Sequence, residues 1–131
     1  TIHLGSQMVA PLNSGMDLVV RADYRITGPT WFHTLQNNTN PTLFSGLLPG
    51  SALGLPSFVG DADYSISRRE AFGILDLRAG LEGENWRVTF FADNMLNRRY
   101  LNEVITAAEF GGSFISPGGL RRLGVELGYT F

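Results

Sequence analysis

Leu123-Gly124-Val125-Glu126-Leu127-Gly128-Tyr129-Thr130-Phe131 is the stretch that decides the fold. Leu123, Val125, Leu127, Tyr129 and Phe131 share one side of an extended chain; Arg122, Gly124, Glu126, Gly128 and Thr130 share the other. Successive strand side chains point to opposite faces, so this period of two predicts a β-strand with one apolar and one polar face. A helix would mix both classes around its circumference.

The same alternation recurs upstream. Leu18, Val20, Ala22, Tyr24 and Ile26 oppose Asp17, Val19, Arg21, Asp23, Arg25 and Thr27. Leu75, Leu77, Ala79 and Leu81 oppose Asp76, Arg78, Gly80 and Glu82, and Trp86, Val88, Phe90 and Ala92 oppose Arg87, Thr89, Phe91 and Asp93. A weaker version, Ile2, Leu4, Met8, Ala10 and Leu12, opens the chain. The pattern predicts an all-β protein with five strands, at about 2–12, 16–33, 71–82, 86–101 and 120–131.

The connections alternate in length. Pro11-Leu12-Asn13-Ser14-Gly15 and Glu82-Gly83-Glu84-Asn85 carry hairpin-turn residues. Two long connections, about 34–70 and 102–119, fall between the remaining strands. Short turns at one end and long loops at the other are the rhythm of an antiparallel transmembrane β-barrel meander. Aromatic residues near strand ends, Trp86, Tyr129 and Phe131 at one and Trp31 and Phe32 toward the other, fit interfacial girdles. They could instead cap a soluble core. Five strands cannot close a membrane barrel, which takes about eight or more. The chain is therefore expected to be the end of a larger barrel, its other strands upstream of Thr1, where no initiator methionine or signal pattern is seen.

Composition permits this and excludes other classes. Hydrophobic residues make up 44% of the 131 and charged residues 17%, with net charge −2, as in a folded domain. The basic doublets Arg68–Arg69, Arg98–Arg99 and Arg121–Arg122 are isolated, which argues against a nucleic-acid face. No run approaches the ~20 apolar residues of a membrane helix. Mean hydropathy of +0.02 suits a barrel and a soluble β domain equally.

Two segments carry a family resemblance. The closing segment from Leu123 to Phe131 resembles the outer-membrane assembly signal, in which alternate hydrophobic residues end on an aromatic one; Leu123, Val125, Leu127, Tyr129 and Phe131 hold those positions. Val88-Thr89-Phe90-Phe91-Ala92-Asp93-Asn94-Met95-Leu96-Asn97-Arg98-Arg99-Tyr100 resembles the penultimate strand of TonB-dependent receptors, with Met95 interposed between Asn94 and Leu96. The likeness covers Leu75 to Phe131 well and Thr1 to Asn38 loosely.

The resemblance implies the last five strands of a barrel of about 22 strands in the outer membrane of a Gram-negative bacterium. Its function would be active import of a scarce ligand, such as an iron–siderophore complex, energised by TonB. The implied partners are outer-membrane lipid, the barrel assembly machinery, an N-terminal plug domain and the TonB complex, the last two through residues absent from this sequence. The small-molecule ligand stays unidentified. A passive porin, or a soluble β-rich binding module, remains the alternative.

No catalytic set is found. There is no cysteine, no nucleophile elbow and no His-Glu-x-x-His pair, so no enzyme is expected and no cofactor or metal is called for. His3 and His33 are far apart and read as ordinary polar residues. Asp61, Asp63 and Ser65 lack the glycine and closing glutamate of a calcium loop. Gly111-Gly112 and Gly118-Gly119 read as loop hinges. Asp93 and Asn94 read as turn formers where the sheet ends. Arg21, Asp23, Arg25, Asp76, Arg78, Arg87, Asp93, Arg122 and Glu126 would face the lumen as cross-strand ion pairs. The loop residues Trp31, Phe32, Phe110 and Phe114 are the candidates for ligand contact.

Overall fold

The computed structural model describes residues 1–12, 15–36, 39–40, 52, 54, 62–107 and 112–131. The strands among them are β1 (Ile2–Leu12), β2 (Met16–Thr27), β3 (Thr30–Trp31), β4 (Thr39–Asn40), β5 (Ala62–Asp63), β6 (Arg68–Arg69), β7 (Phe72–Glu82), β8 (Trp86–Asp93), β9 (Leu101–Ala107), β10 (Gly112–Pro117) and β11 (Arg122–Tyr129). A 3-10 turn, Tyr64–Ser67, joins β5 to β6, and no α-helix occurs among the described residues. The protein is all-β with antiparallel pairing throughout.

The chain divides into two compact units. The first, Thr1–Gly28, Ala71–Arg99 and Gly119–Phe131, is one sheet in the order β1-β2-β7-β8-β11. Its register keeps apolar residues in line across every strand. Met8, Val20, Ala79, Phe90 and Val125 stand opposite one another in turn, and so do Ala10, Leu18, Leu81, Val88 and Leu127. A slip of one residue anywhere would throw an apolar set onto the charged face, so the two-faced pattern itself specifies the pairing.

Two strands are shorter than the alternation predicts. β2 stops at Thr27, not near residue 33, because Gly28 and Pro29 follow and proline cannot donate to the ladder. β8 stops at Asp93, not near residue 101, because Asn94 adopts φ 47° and turns the chain out of the strand. At the other end, the Gly83 N–H donates to the Trp86 carbonyl at 2.8 Å and closes the tight turn between β7 and β8.

The second unit is Pro29–Glu70 and Tyr100–Gly118, and its described residues form three small ladders: β3 with β6, β4 with β5, and β9 with β10. The connection read as a loop over 102–119 is thus mostly a hairpin. Its strands carry Val104-Ile105-Thr106 and Phe114-Ile115, residues suited to a pleated surface. Ala62, Tyr64 and Val104 form a small apolar core there, beside the fully buried Ser67, whose hydroxyl donates to the Tyr64 carbonyl at 2.7 Å.

Candidate functional site

The five-stranded sheet presents two unlike faces. On the apolar one, side chains of β8 and of the edge strand β11 stay exposed: Phe90 by 61%, Leu123 by 66%, Val125 by 52% and Leu127 by 78%. On β1, Ile2, Leu4 and Met8 are also more than half exposed. In water each such side chain forgoes about 1.5–3 kcal/mol of burial. Repeated over β1, β8 and β11, that loss is comparable to the whole stability of a domain, about 5–15 kcal/mol. Trp86, paired with Tyr129, and Phe131, edge-on to Tyr129 at 5.1 Å, gather aromatic rings at the tight-turn end of this face.

The opposite face is polar. Arg21 holds Asp23 through two nitrogens at 2.6 and 3.0 Å, Arg122 holds Asp93 at 2.6 Å, and Arg78 lies 3.6 Å from Glu126. These pairs are partly solvated and each is worth at most about 1 kcal/mol. Phe91 sits among them, with the guanidinium of Arg122 5.6 Å and that of Arg78 6.0 Å from its ring centre. The ring lies over Gly124, where a Cβ would come within 2.5 Å of it. Arg25 and Arg87 lie on this same face, Arg25 opposite Ile74 and Arg87 opposite Glu82.

Where β8 ends, Asn94 is 4% exposed and fully engaged. Its backbone N–H donates to Asp76 Oδ1 at 2.8 Å, and its Oδ1 accepts the Arg98 N–H at 2.8 Å. Its Nδ2 donates to the carbonyls of Arg98 and Gly119, both at 2.9 Å. Met95 N–H donates to the Leu75 carbonyl at 2.8 Å, and Arg121 N–H to Asn97 Oδ1 at 3.3 Å. The motif therefore ties β7, β8 and the start of β11 together.

In the second unit, the loop aromatics are joined to arginines. Trp31 pairs with Arg68 across the β3–β6 ladder, the guanidinium 5.7 Å from its ring, and Arg69 lies 5.3 Å from the Phe32 ring. Arg69 also donates to the Leu101 carbonyl at 3.0 Å and to Thr30 Oγ1 at 3.2 Å, while Arg68 pairs with Glu70 at 2.8 Å. His33 stacks on Tyr64 at 4.4 Å, and its Nδ1 accepts the Leu35 N–H at 3.1 Å.

Trp31 and Phe32 thus come together with two cations that spacing alone did not connect to them. Phe114 is 71% exposed on the hairpin, opposite Ile105. Phe110 and Asp61 lie outside the described residues.

Asp63 caps the 3-10 turn by accepting the Ser65 N–H at 2.9 Å. The Ser65 hydroxyl and N–H hold its carboxyl below the usual carboxylate range. That explains the aspartate as a cap. Among the described residues, no three His, Asp or Glu side chains gather as metal ligands would. Among the described residues, no helix is long and apolar enough to cross a membrane. Comparisons with protein-family models, with curated proteins and with solved structures found no match.

Proposed function

We propose that the chain forms the last five strands of a transmembrane β-barrel of the TonB-dependent receptor kind, part of an outer-membrane transporter that imports a scarce ligand. The observation that carries this reading is the apolar face, in register across all five strands and exposed on each side of the sheet centre. Lipid is the surrounding that makes such a face favourable, while the charged face would line a wet interior.

Further support comes from the edges. Among the described residues, β1 and β11 are each paired on one side only. Unpaired strand edges do not persist in hydrocarbon, so such a sheet would need further strands to close. The resemblance of Val88–Tyr100 and Leu123–Phe131 to the receptor strands selects this kind of barrel over a passive porin. Trp31 and Phe32, each under a guanidinium, and the exposed Phe114 are the residues of this chain proposed to meet the ligand. The plug domain and the TonB complex would act through other parts of the whole protein, and the barrel assembly machinery would read the segment ending at Phe131.

The test is fractionation of native cells, with detection by an antibody against residues 102–119. A band in the outer membrane several times heavier than 14.4 kDa is expected, together with ligand uptake that stops when TonB is absent. A band of 14.4 kDa in the soluble fraction would replace this reading with a self-contained β-rich binding module. Uptake indifferent to TonB would point to a porin.

A further inference from the structure

The β9–β10 hairpin has one packed strand and one open edge. On β9, Val104 is buried and the Leu101 carbonyl accepts from Arg69 at 3.0 Å. Among the described residues, β10 pairs with β9 alone. A bare strand edge is a row of backbone N–H and C=O groups, which folded proteins guard with charges, proline or bulges. On β10 the guard stands at one end, where the register shifts between Ser116 and Pro117. The strand Gly112-Ser113-Phe114-Ile115-Ser116-Pro117 carries no charge.

Beside this edge, both faces of the hairpin are apolar. Phe114 stands opposite Ile105 on one face, and Ile115 opposite Val104 on the other. Phe114, Ile105 and Ile115 are each more than half exposed. The one charge on the two strands is the exposed Glu103, opposite Ser116 and on the Phe114 face. Among the described residues it forms no ion pair.

We infer that the free edge of β10 binds a short peptide as an added strand, with an apolar residue beside Phe114 and a lysine or arginine two positions away, beside Ser116. An extended backbone answers a row of alternating donors and acceptors, whereas a compact metal chelate does not. The added strand would lie about 10 Å from β9, within reach of a long basic side chain crossing Ser116 toward the Glu103 carboxylate. The six residues of β10 span about 20 Å. So short an edge covers well under the ~800 Å² per partner of a stable dimer, which favours a peptide over a second copy of this chain. The inference deepens the reading above, on which it rests for import: it names the class of scarce ligand that Phe114 meets.

The experiment measures binding of a pool of fluorescent hexapeptides to the complete protein by anisotropy. The pool carries valine or isoleucine at the third and fourth positions and lysine at the first or fifth. Saturable binding is expected, and Phe114→Lys should weaken it about tenfold, as loss of a central contact does. Glu103→Lys should weaken it too, and replacing the peptide lysine by glutamate should then restore it. N-methylation of alternate peptide amides should abolish binding in one frame and spare it in the other, because an added strand turns only every second N–H toward β10.

No saturable binding, binding unchanged by Phe114→Lys, or equal response to the two methylation frames would overturn the added strand. So would a Ser116→Cys protein that cross-links to its own copy, since the second copy would then hold the edge. Absence of peptide binding beside TonB-dependent uptake of another ligand would overturn this inference and leave the transporter reading intact. Frame-dependent peptide binding by protein recovered without detergent would uphold the added strand and remove the membrane reading.

Discussion

The side-chain amide of Asn94 donates to the carbonyl of Gly119 at 2.9 Å and so fixes where β11 begins relative to the end of β8. The same nitrogen serves Arg98, and Oδ1 takes the Arg98 N–H. The residue also holds φ 47°, a conformation that asparagine tolerates better than most. Asn94→Ala should therefore cost about 2–4 kcal/mol, since it orphans several buried groups and keeps the backbone strain. Asn94→Gly should cost less, because glycine relieves the strain while still losing the bonds. The temperature at which the complete protein loses its compact band on electrophoresis ranks the three. Equal temperatures would mean the clasp contributes nothing.

Leu127 and Glu126 are neighbours on β11 that face opposite ways, toward Val88 and Thr89 respectively. If the apolar face meets lipid, Leu127→Arg near the midplane should destabilise by about 2–4 kcal/mol. Glu126→Arg should cost far less, losing a 3.6 Å contact with Arg78 on the wet side. Refolding into vesicles across a denaturant series measures both. Equal tolerance of arginine at the two positions would contradict the assignment of faces.

Phe91 needs the empty space over Gly124. Valine there would drive the ring away from Arg78 and Arg122, since even the first carbon falls 2.5 Å from it. Overpacking of this kind costs about 1–3 kcal/mol. With Phe91→Ala already in place, the same valine should be nearly neutral. A double-mutant cycle reads the coupling, and strict additivity would show that ring and glycine are independent.

The apolar face was legible because alternation survives without knowing the pairing: Leu18, Leu77, Phe90 and Val125 fall on it by parity alone. Strand ends were less so. Pro29 and Asn94 stop β2 and β8 through backbone conformation, and alternating residues beyond them still look extended.

The β9–β10 hairpin hid behind Gly111, Gly112, Pro117 and Gly118, although Val104-Ile105-Thr106 was a usable strand signal. Trp31 and Phe32 stood out as loop aromatics. Their arginines lie more than 30 residues away, and only the β3–β6 ladder brings them close. Asn94 read as a turn former, which it is, but its bond to Gly119 depends on two strands being neighbours.

Asp63 gives the chain a local acid sensitivity. Its carboxylate accepts the Ser65 N–H at 2.9 Å and is held below its ordinary value by Ser65. A carboxyl depressed in the folded state stabilises that state above the unfolded value, about 3.9, and the contribution is lost as pH falls through the lower folded value. The cap on Tyr64–Ser67 should thus be indifferent to pH from neutrality down to about 4 and weaken only below that. Hydrogen exchange at the Ser65 amide, corrected for its intrinsic pH dependence, reports the cap directly. Asp63→Asn should keep much of the protection and remove its acid dependence, because an amide oxygen still accepts the bond. Protection that changes between pH 5 and 7 would place the controlling group elsewhere than Asp63.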